Sequence, residues 1–322
     1  ARRGVVLACG GFPHDPVRQA ALFPHAPTGR EHRSAAPRTN TGDGLRLAEA
    51  VGAVVRTDLA DAGAWAPVSL VPHRGGEIAF PHLVDRGKPG LIAVDARGER
   101  FVDEAGDYHT FMRALFARCA AHPGRPVEAW LVADARFLRR YGLGAVRPWP
   151  LPHRRRLADG YLMRGATPRA LAVACGIEAD GLVRTLTRYN AAAREGRDPA
   201  FDRGGMPYDR MQGDAEHAGP NPCVAPIERA PFYAVRIVPG SLGTFAGLAV
   251  DAHAQVLDAR GAPIPGLYAA GNDMAHAMAG HYPSGGITLG PALTFAYLLA
   301  HHAAGQARAM PAAAATAPAA AT

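Results

Sequence analysis

Three glycine-bearing segments are places where backbone N–H groups could reach a bound anion. Gly10 and Gly11 follow the apolar run Gly4-Val5-Val6-Leu7-Ala8-Cys9, and Asn40-Thr41-Gly42-Asp43-Gly44 precedes a run with apolar residues at helical spacing, Leu45 to Gly52. The third is Gly266-Leu267-Tyr268-Ala269-Ala270-Gly271-Asn272-Asp273, followed by Gly280 to Gly290 and a helix expected over Pro291 to His302. Glycine adopts positive φ and carries no Cβ, so the chain can pass close to a ligand there. A glycine loop that delivers a helix start also presents free N–H groups and the positive end of the helix dipole to a phosphate. Each segment taken alone is equally compatible with a tight turn or an ordinary capped helix.

Other chemistries lack their residues. Ser284 has no G-x-S-x-G context for a nucleophile, and no histidine stands in an H-E-x-x-H arrangement, so no metal is expected. The four cysteines form no C-x-x-C pair, which argues for reduced thiols rather than a disulfide framework. Asp95 and Asp103 sit near turns and read as structural. The net charge of +7 comes from arginines spread along the chain; the compact run His153-Arg154-Arg155-Arg156 is short, so nucleic acid is not an expected partner.

The elements that must position these residues follow from hydropathy. A chain of 322 residues with 48% hydrophobic content can bury a large core, and no apolar stretch is long enough for a membrane span or a signal peptide. A soluble, cytoplasmic protein is the expectation. Residues 1–64 open with a buried-type strand, and residues 65–230 change to mixed strands, prolines and helices such as Thr167 to Glu195. From 231 to 305 short apolar strands return, at Phe232 to Val238, Leu248 to Asp251 and Gly266 to Gly271. The reading is one α/β domain made from both ends of the chain with an inserted domain between. Residues 306–322 are low-complexity and expected to be a disordered tail.

Four blocks in this order resemble one family. Val5-Val6-Leu7-Ala8-Cys9-Gly10-Gly11-Phe12, Asn40 to Ala48, Arg100-Phe101-Val102-Asp103-Glu104-Ala105, and the closing pair Gly266 to Asp273 and Tyr282 to Ala292 look like the fumarate-reductase/3-ketosteroid-dehydrogenase flavoproteins. The resemblance runs from Gly4 to about Ala304. It implies an α/β, glutathione-reductase-like FAD-binding domain, incomplete at its N-terminus, with an inserted α+β substrate or cap domain. FAD would be held by Gly10, Gly11, Thr41, Gly42, Asp43, Gly271, Asn272 and Asp273. Gly286, Ile287, Thr288 and Leu289 would run along the isoalloxazine, and the next helix would aim its N-terminus at the flavin.

For catalysis the resemblance implies Tyr108 and Tyr282. Tyr108 falls in a slot that holds arginine in fumarate reductases and tyrosine in relatives acting on ketones. The histidine expected of dicarboxylate enzymes falls at Gly243. Loss of both cationic groups favours a neutral, mostly apolar, steroid-like ketone. Tyr282 with the Gly286 N–H would hold the carbonyl oxygen, Thr244 would touch the substrate, and Tyr108 would remove the proton next to the ketone while the flavin takes hydride from the neighbouring carbon. His109, beside Tyr108, either tunes it or is an ordinary half-buried histidine.

The pyrophosphate-binding G-x-G-x-x-G of such folds is absent from the chain. The resemblance places it upstream of residue 1, so the chain reads as a fragment with poor FAD affinity of its own. Three functions stay open: a ketone-adjacent dehydrogenase that passes electrons to an acceptor, an unsaturated-acid reductase or dehydrogenase, and a non-catalytic binding remnant.

Overall fold

The computed structural model describes residues 4–121 and 124–305, so the expected tail lies outside the described residues. The first part of the chain carries β1 (Val5–Leu7), α1 (Pro16–Leu22), β2 (Arg33–Ser34), α2 (Asp43–Glu49), β3 (Val55–Arg56), β4 (Gly63–His73), β5 (Gly76–Pro81), β6 (Leu91–Val94) and α3 (Tyr108–Ala120). The middle carries β7 (Ala129–Asp134), α4 (Ala135–Tyr141), α5 (Arg154–Ala158), β8 (Met163–Gly165), α6 (Pro168–Cys175), α7 (Ala179–Ala193) and α8 (Pro207–Gln212). Last come β9 (Phe232–Thr244), β10 (Gly247–Leu248), β11 (Gln255–Leu257), β12 (Pro263–Ala269) and α9 (Leu289–Ala303).

The two ends of the chain do meet. β1 pairs in parallel with β12, Val6 opposite Tyr268, in a three-stranded sheet of order β1-β12-β11. β1 lies at the edge of this sheet, with Leu7 buried and Val5 and Val6 49% and 48% exposed. A larger, seven-stranded sheet has the path β5-β4-β9-β7-β6, with β2 and β8 also on β9. Its central strand, β9, begins at Phe232, so this sheet crosses the boundary expected at residues 230 and 231. The apolar alternation announced a strand there but not its partners, which are β4 and β7.

Local signals explain most helices. Asp107 caps α3 by accepting the Thr110 N–H at 2.8 Å, and Thr167 caps α6 before Pro168. Helix α2 starts from Gly42 in the left-handed region, φ 82°, with no side-chain cap hydrogen bond. The segment read as a strand from Leu248 to Asp251 shortens to β10 and isolated bridges. Among the described residues no helix is long and apolar enough to cross a membrane.

Candidate active site

The glycine segments converge into one nest of turns where β1 and β12 end. The buried carboxylate of Asp273 accepts the N–H of Gly11 at 2.9 Å and that of Cys9, and the Gly42 N–H donates to the Gly11 carbonyl at 3.0 Å. Asn40 donates its amide to the Gly10 carbonyl at 3.3 Å. These contacts require glycine. Gly11 has φ 73°, and a Cβ there would sit 2.2 Å from Thr244 Oγ1 and 2.7 Å from the Asn272 carbonyl oxygen. Thr41 donates its hydroxyl to Asp43 at 3.2 Å, and Asp43 pairs with Arg46 at the exposed start of α2.

Two residues expected to meet a ligand are bonded within the nest itself. Thr244, expected at the substrate, donates its hydroxyl to the Asn272 carbonyl at 3.3 Å. Asp273, expected among the residues that hold FAD, accepts from the backbone of the Gly10-Gly11 turn with both oxygens. At Gly243 a Cβ would lie 2.1 Å from Asn272 Nδ2, so a side chain at the position that the dicarboxylate pattern fills with histidine would displace the Asn272 amide.

The nest suits an extended, phosphate-bearing cofactor. Gly271 and Gly286 have φ 65° and 92°, and a Cβ on either would meet nothing within 4 Å, so backbone there is open to a ligand. Thr288 caps α9 without a side-chain hydrogen bond; the Gly290 N–H is taken by the Gly286 carbonyl at 2.8 Å and Pro291 has none, so it is the Leu289 N–H that is left to an external acceptor. Leu289 is exposed, while Ile287 accepts from His276 Nε2 at 3.3 Å through its carbonyl.

The two phenols are brought together. Tyr108 is the first residue of α3, and Tyr282 arrives on the loop before α9; both are buried and their hydroxyls share a hydrogen bond. Their ring centroids are 4.8 Å apart at 55°. Ala64, Ala66, Phe245, Leu59, Leu83, Leu242 and Ile287 pack with them, the His109 imidazole stacks on Tyr282, and Asp107 and Arg86 lie within electrostatic reach of Tyr108. Burial pushes both phenols above their ordinary range, and the hydrogen bond between their hydroxyls couples their titration, so the first proton belongs to the pair.

The Arg100-to-Ala105 block is the support for Tyr108. Glu104, fully buried, accepts the Ala93 N–H at 2.9 Å and pairs with Arg100 at 2.6 Å and Arg203 at 3.1 Å. Arg86 donates to the carbonyls of Glu104 and Gly106 at 2.8 and 3.3 Å, fixing the turn that opens α3. Sequence reasoning left two residues of the site without a role: Asp61 was not singled out, and His109 was split between two readings. His109 stacks on the Tyr282 ring at 5.4 Å and 17° and meets Asp61 at 3.0 Å.

Residues 1–289 match the FAD binding domain family. The chain belongs to that family. It is 40% identical over 298 residues to 4-oxocyclohex-2-ene-1-carboxylate 5-dehydrogenase of Sinomonas cyclohexanicum, covering 92% of this chain and 50% of the relative. It is also 40% identical to the 3-oxosteroid 1-dehydrogenase of Mycobacterium tuberculosis, over 95% of this chain and 54% of the relative. A crystal structure of 3-ketosteroid delta1-dehydrogenase from Sterolibacterium denitrificans, in complex with 1,4-androstadiene-3,17-dione, superposes with a TM-score of 0.85 at 39% identity, covering 95% of this chain and 54% of that one. The chain thus spans about half the length of the relatives it matches. FAD is the cofactor of its family, and the mixed α/β fold is that of these flavoenzymes.

Proposed function

We propose that the protein containing this chain is an FAD-dependent oxidoreductase that desaturates a CH–CH bond beside a ring ketone of steroid-like, apolar character. The observation that carries this reading is the buried Tyr108–Tyr282 hydroxyl pair packed against an apolar cluster. FAD, held at the nest of Gly10, Gly11, Thr41, Gly42, Asp43, Gly271, Asn272 and Asp273 and along Gly286 to Leu289, supplies the hydride acceptor.

Within the pair, Tyr282 keeps its proton and donates it to the ketone oxygen, with the open Gly286 backbone as second donor. The carbonyl is thereby polarised, and charge that develops on its oxygen as an enolate is met by two hydrogen bonds. Tyr108, the phenol left free once Tyr282 holds the carbonyl, removes the proton from the adjacent carbon as a phenolate. The apolar cluster around the pair favours a ring of low polarity over a dicarboxylate. Names of the relatives support the same chemistry, since each is a dehydrogenase of a ring ketone.

The test uses the longest reading frame that contains this chain, purified with FAD. A 3-ketosteroid should bleach the flavin anaerobically, and an artificial acceptor should restore it. A flavinylated protein that no cyclic ketone reduces contradicts the assignment, and reduction of a fumarate-like acid would replace it with the unsaturated-acid reading.

A further inference from the structure

We propose that Asp61 and His109 form a positioning pair that fixes the Tyr282 phenol, and through it Tyr108, against the substrate carbonyl. The pair rests on the function proposed above and deepens it. Neither residue reaches the phenolic oxygens, so the contact is ring to ring.

The hydrogen bonds determine the imidazole completely. The Trp65 backbone N–H donates to His109 Nδ1 at 3.1 Å, so the ring proton sits on Nε2, which donates to Asp61 Oδ2 at 3.0 Å. The other carboxylate oxygen accepts Trp65 Nε1–H at 2.9 Å, and Arg113 Nε lies 3.6 Å from Oδ2. Burial works against the charge on Asp61, but the hydrogen bonds from His109 and Trp65 outweigh it and hold the carboxyl below its ordinary range. The imidazole, 2% exposed, cannot turn without losing bonds at both nitrogens, and it offers Tyr282 a nearly parallel face, 17° away from coplanar.

The same short segment also holds the loop that carries Tyr282. The Ala60 N–H donates to the Ala279 carbonyl at 2.9 Å. A Cβ on Gly280 would lie 2.6 Å from both the backbone N and O of Asp61, so the two loops are in direct backbone contact. Residues 60–65 therefore grip His109 from one side and the Tyr282 loop from the other. An apolar side chain would fill the space of His109 at lower desolvation cost; what a doubly bonded imidazole adds is one orientation.

The test uses the intact holoenzyme with Asp61→Asn and His109→Phe, a cyclic ketone substrate, and the same ketone deuterated at its enolisable carbon. Asparagine cannot accept both N–H groups, and phenylalanine keeps a stacking ring without either hydrogen bond. The expected result is a fall of about tenfold to a hundredfold in kcat, with KM changed by less than about threefold, from a small misplacement of the phenols. FAD content should be unchanged, and the isotope effect on kcat should rise because proton removal becomes slower. Wild-type kcat and isotope effect in both variants would overturn the proposal, as would a loss confined to KM. If Asp61→Asn does not retain FAD, His109→Phe decides alone by the same measurements. A wild type inactive on every cyclic ketone removes the underlying function, whereas an active wild type with unaffected variants removes only the pair.

Discussion

Asp273 and Gly11, 262 positions apart, are joined by a 2.9 Å hydrogen bond from the Gly11 N–H to a carboxylate with no exposed surface. Together with the Cys9 N–H it closes the ends of β1 and β12 on one buried charge. Asp273→Asn keeps one acceptor but turns an NH2 group toward a backbone N–H. The expected cost is about 2–3 kcal/mol of stability, the range for hydrogen bonds to a charged group, together with loss of FAD on gel filtration. Urea unfolding measures it; an unchanged midpoint would show that the turn holds without the carboxylate.

Gly243 makes a second, independent check on substrate class. Restoring the histidine of dicarboxylate enzymes, Gly243→His, would drive a Cβ to 2.1 Å from Asn272 Nδ2. Asn272 then has to move, and overpacking of this kind costs about 1–3 kcal/mol. The variant should lose stability and cofactor without gaining activity on fumarate-like acids. Assaying both substrates on the purified variant distinguishes a steric block from a simple missing clamp.

The phenol pair predicts an alkaline rate profile. Tyr108 must be ionised to take a proton, and burial holds it above the ordinary tyrosine value of about 10. With that value raised, kcat/KM should climb about tenfold per pH unit through the neutral and mildly alkaline range. Tyr108→Phe should flatten the slope and lower kcat by about a hundredfold to ten-thousandfold. Tyr282→Phe should leave the slope in place but lower kcat by at least about a hundredfold to a thousandfold, because the carbonyl donor and the hydrogen-bond partner of Tyr108 are both gone. A slope unaffected by Tyr108→Phe would move the base elsewhere.

What the sequence made legible has a physical pattern. Gly10, Gly11 and Gly42 could be found because a positive φ or a close backbone approach leaves a residue-type signature at the position itself. The Tyr108–Tyr282 meeting, 174 positions apart, was accessible only through resemblance of the blocks around each phenol. Asp61 was invisible: its partner His109 lies 48 positions away, and no spacing rule links a loop aspartate to a helix histidine. Thr244 illustrates the same limit, since it lies past the strand read over Phe232 to Val238 and its bond to the Asn272 carbonyl depends on a turn 28 positions later. Strand β9 was read as a strand, yet which sheet it joined depended on β4 and β7, and alternation carries no information about partners.

Tyr189 offers a stability test separate from the site. Its ring is buried under the Arg100 guanidinium at 5.0 Å, and its hydroxyl has no hydrogen-bond partner among the described residues. Burial pushes this phenol up to about 12. The folded value lies above the unfolded value of about 10, so the folded state holds its proton more tightly. The stability linked to that proton is present below about pH 10 and is lost as pH rises through about 12. Two pH units correspond to about 2–3 kcal/mol. Tyr189→Phe removes both the titration and the unpaired hydroxyl, so it should be as stable as wild type or about 1 kcal/mol more stable at pH 7. Its advantage should then widen between pH 10 and 12 in parallel urea titrations. Tyr161 and Tyr233 are also raised by burial but titrate in both proteins, so the difference between the two curves isolates Tyr189. Parallel curves across that range would mean that the Tyr189 hydroxyl reaches water.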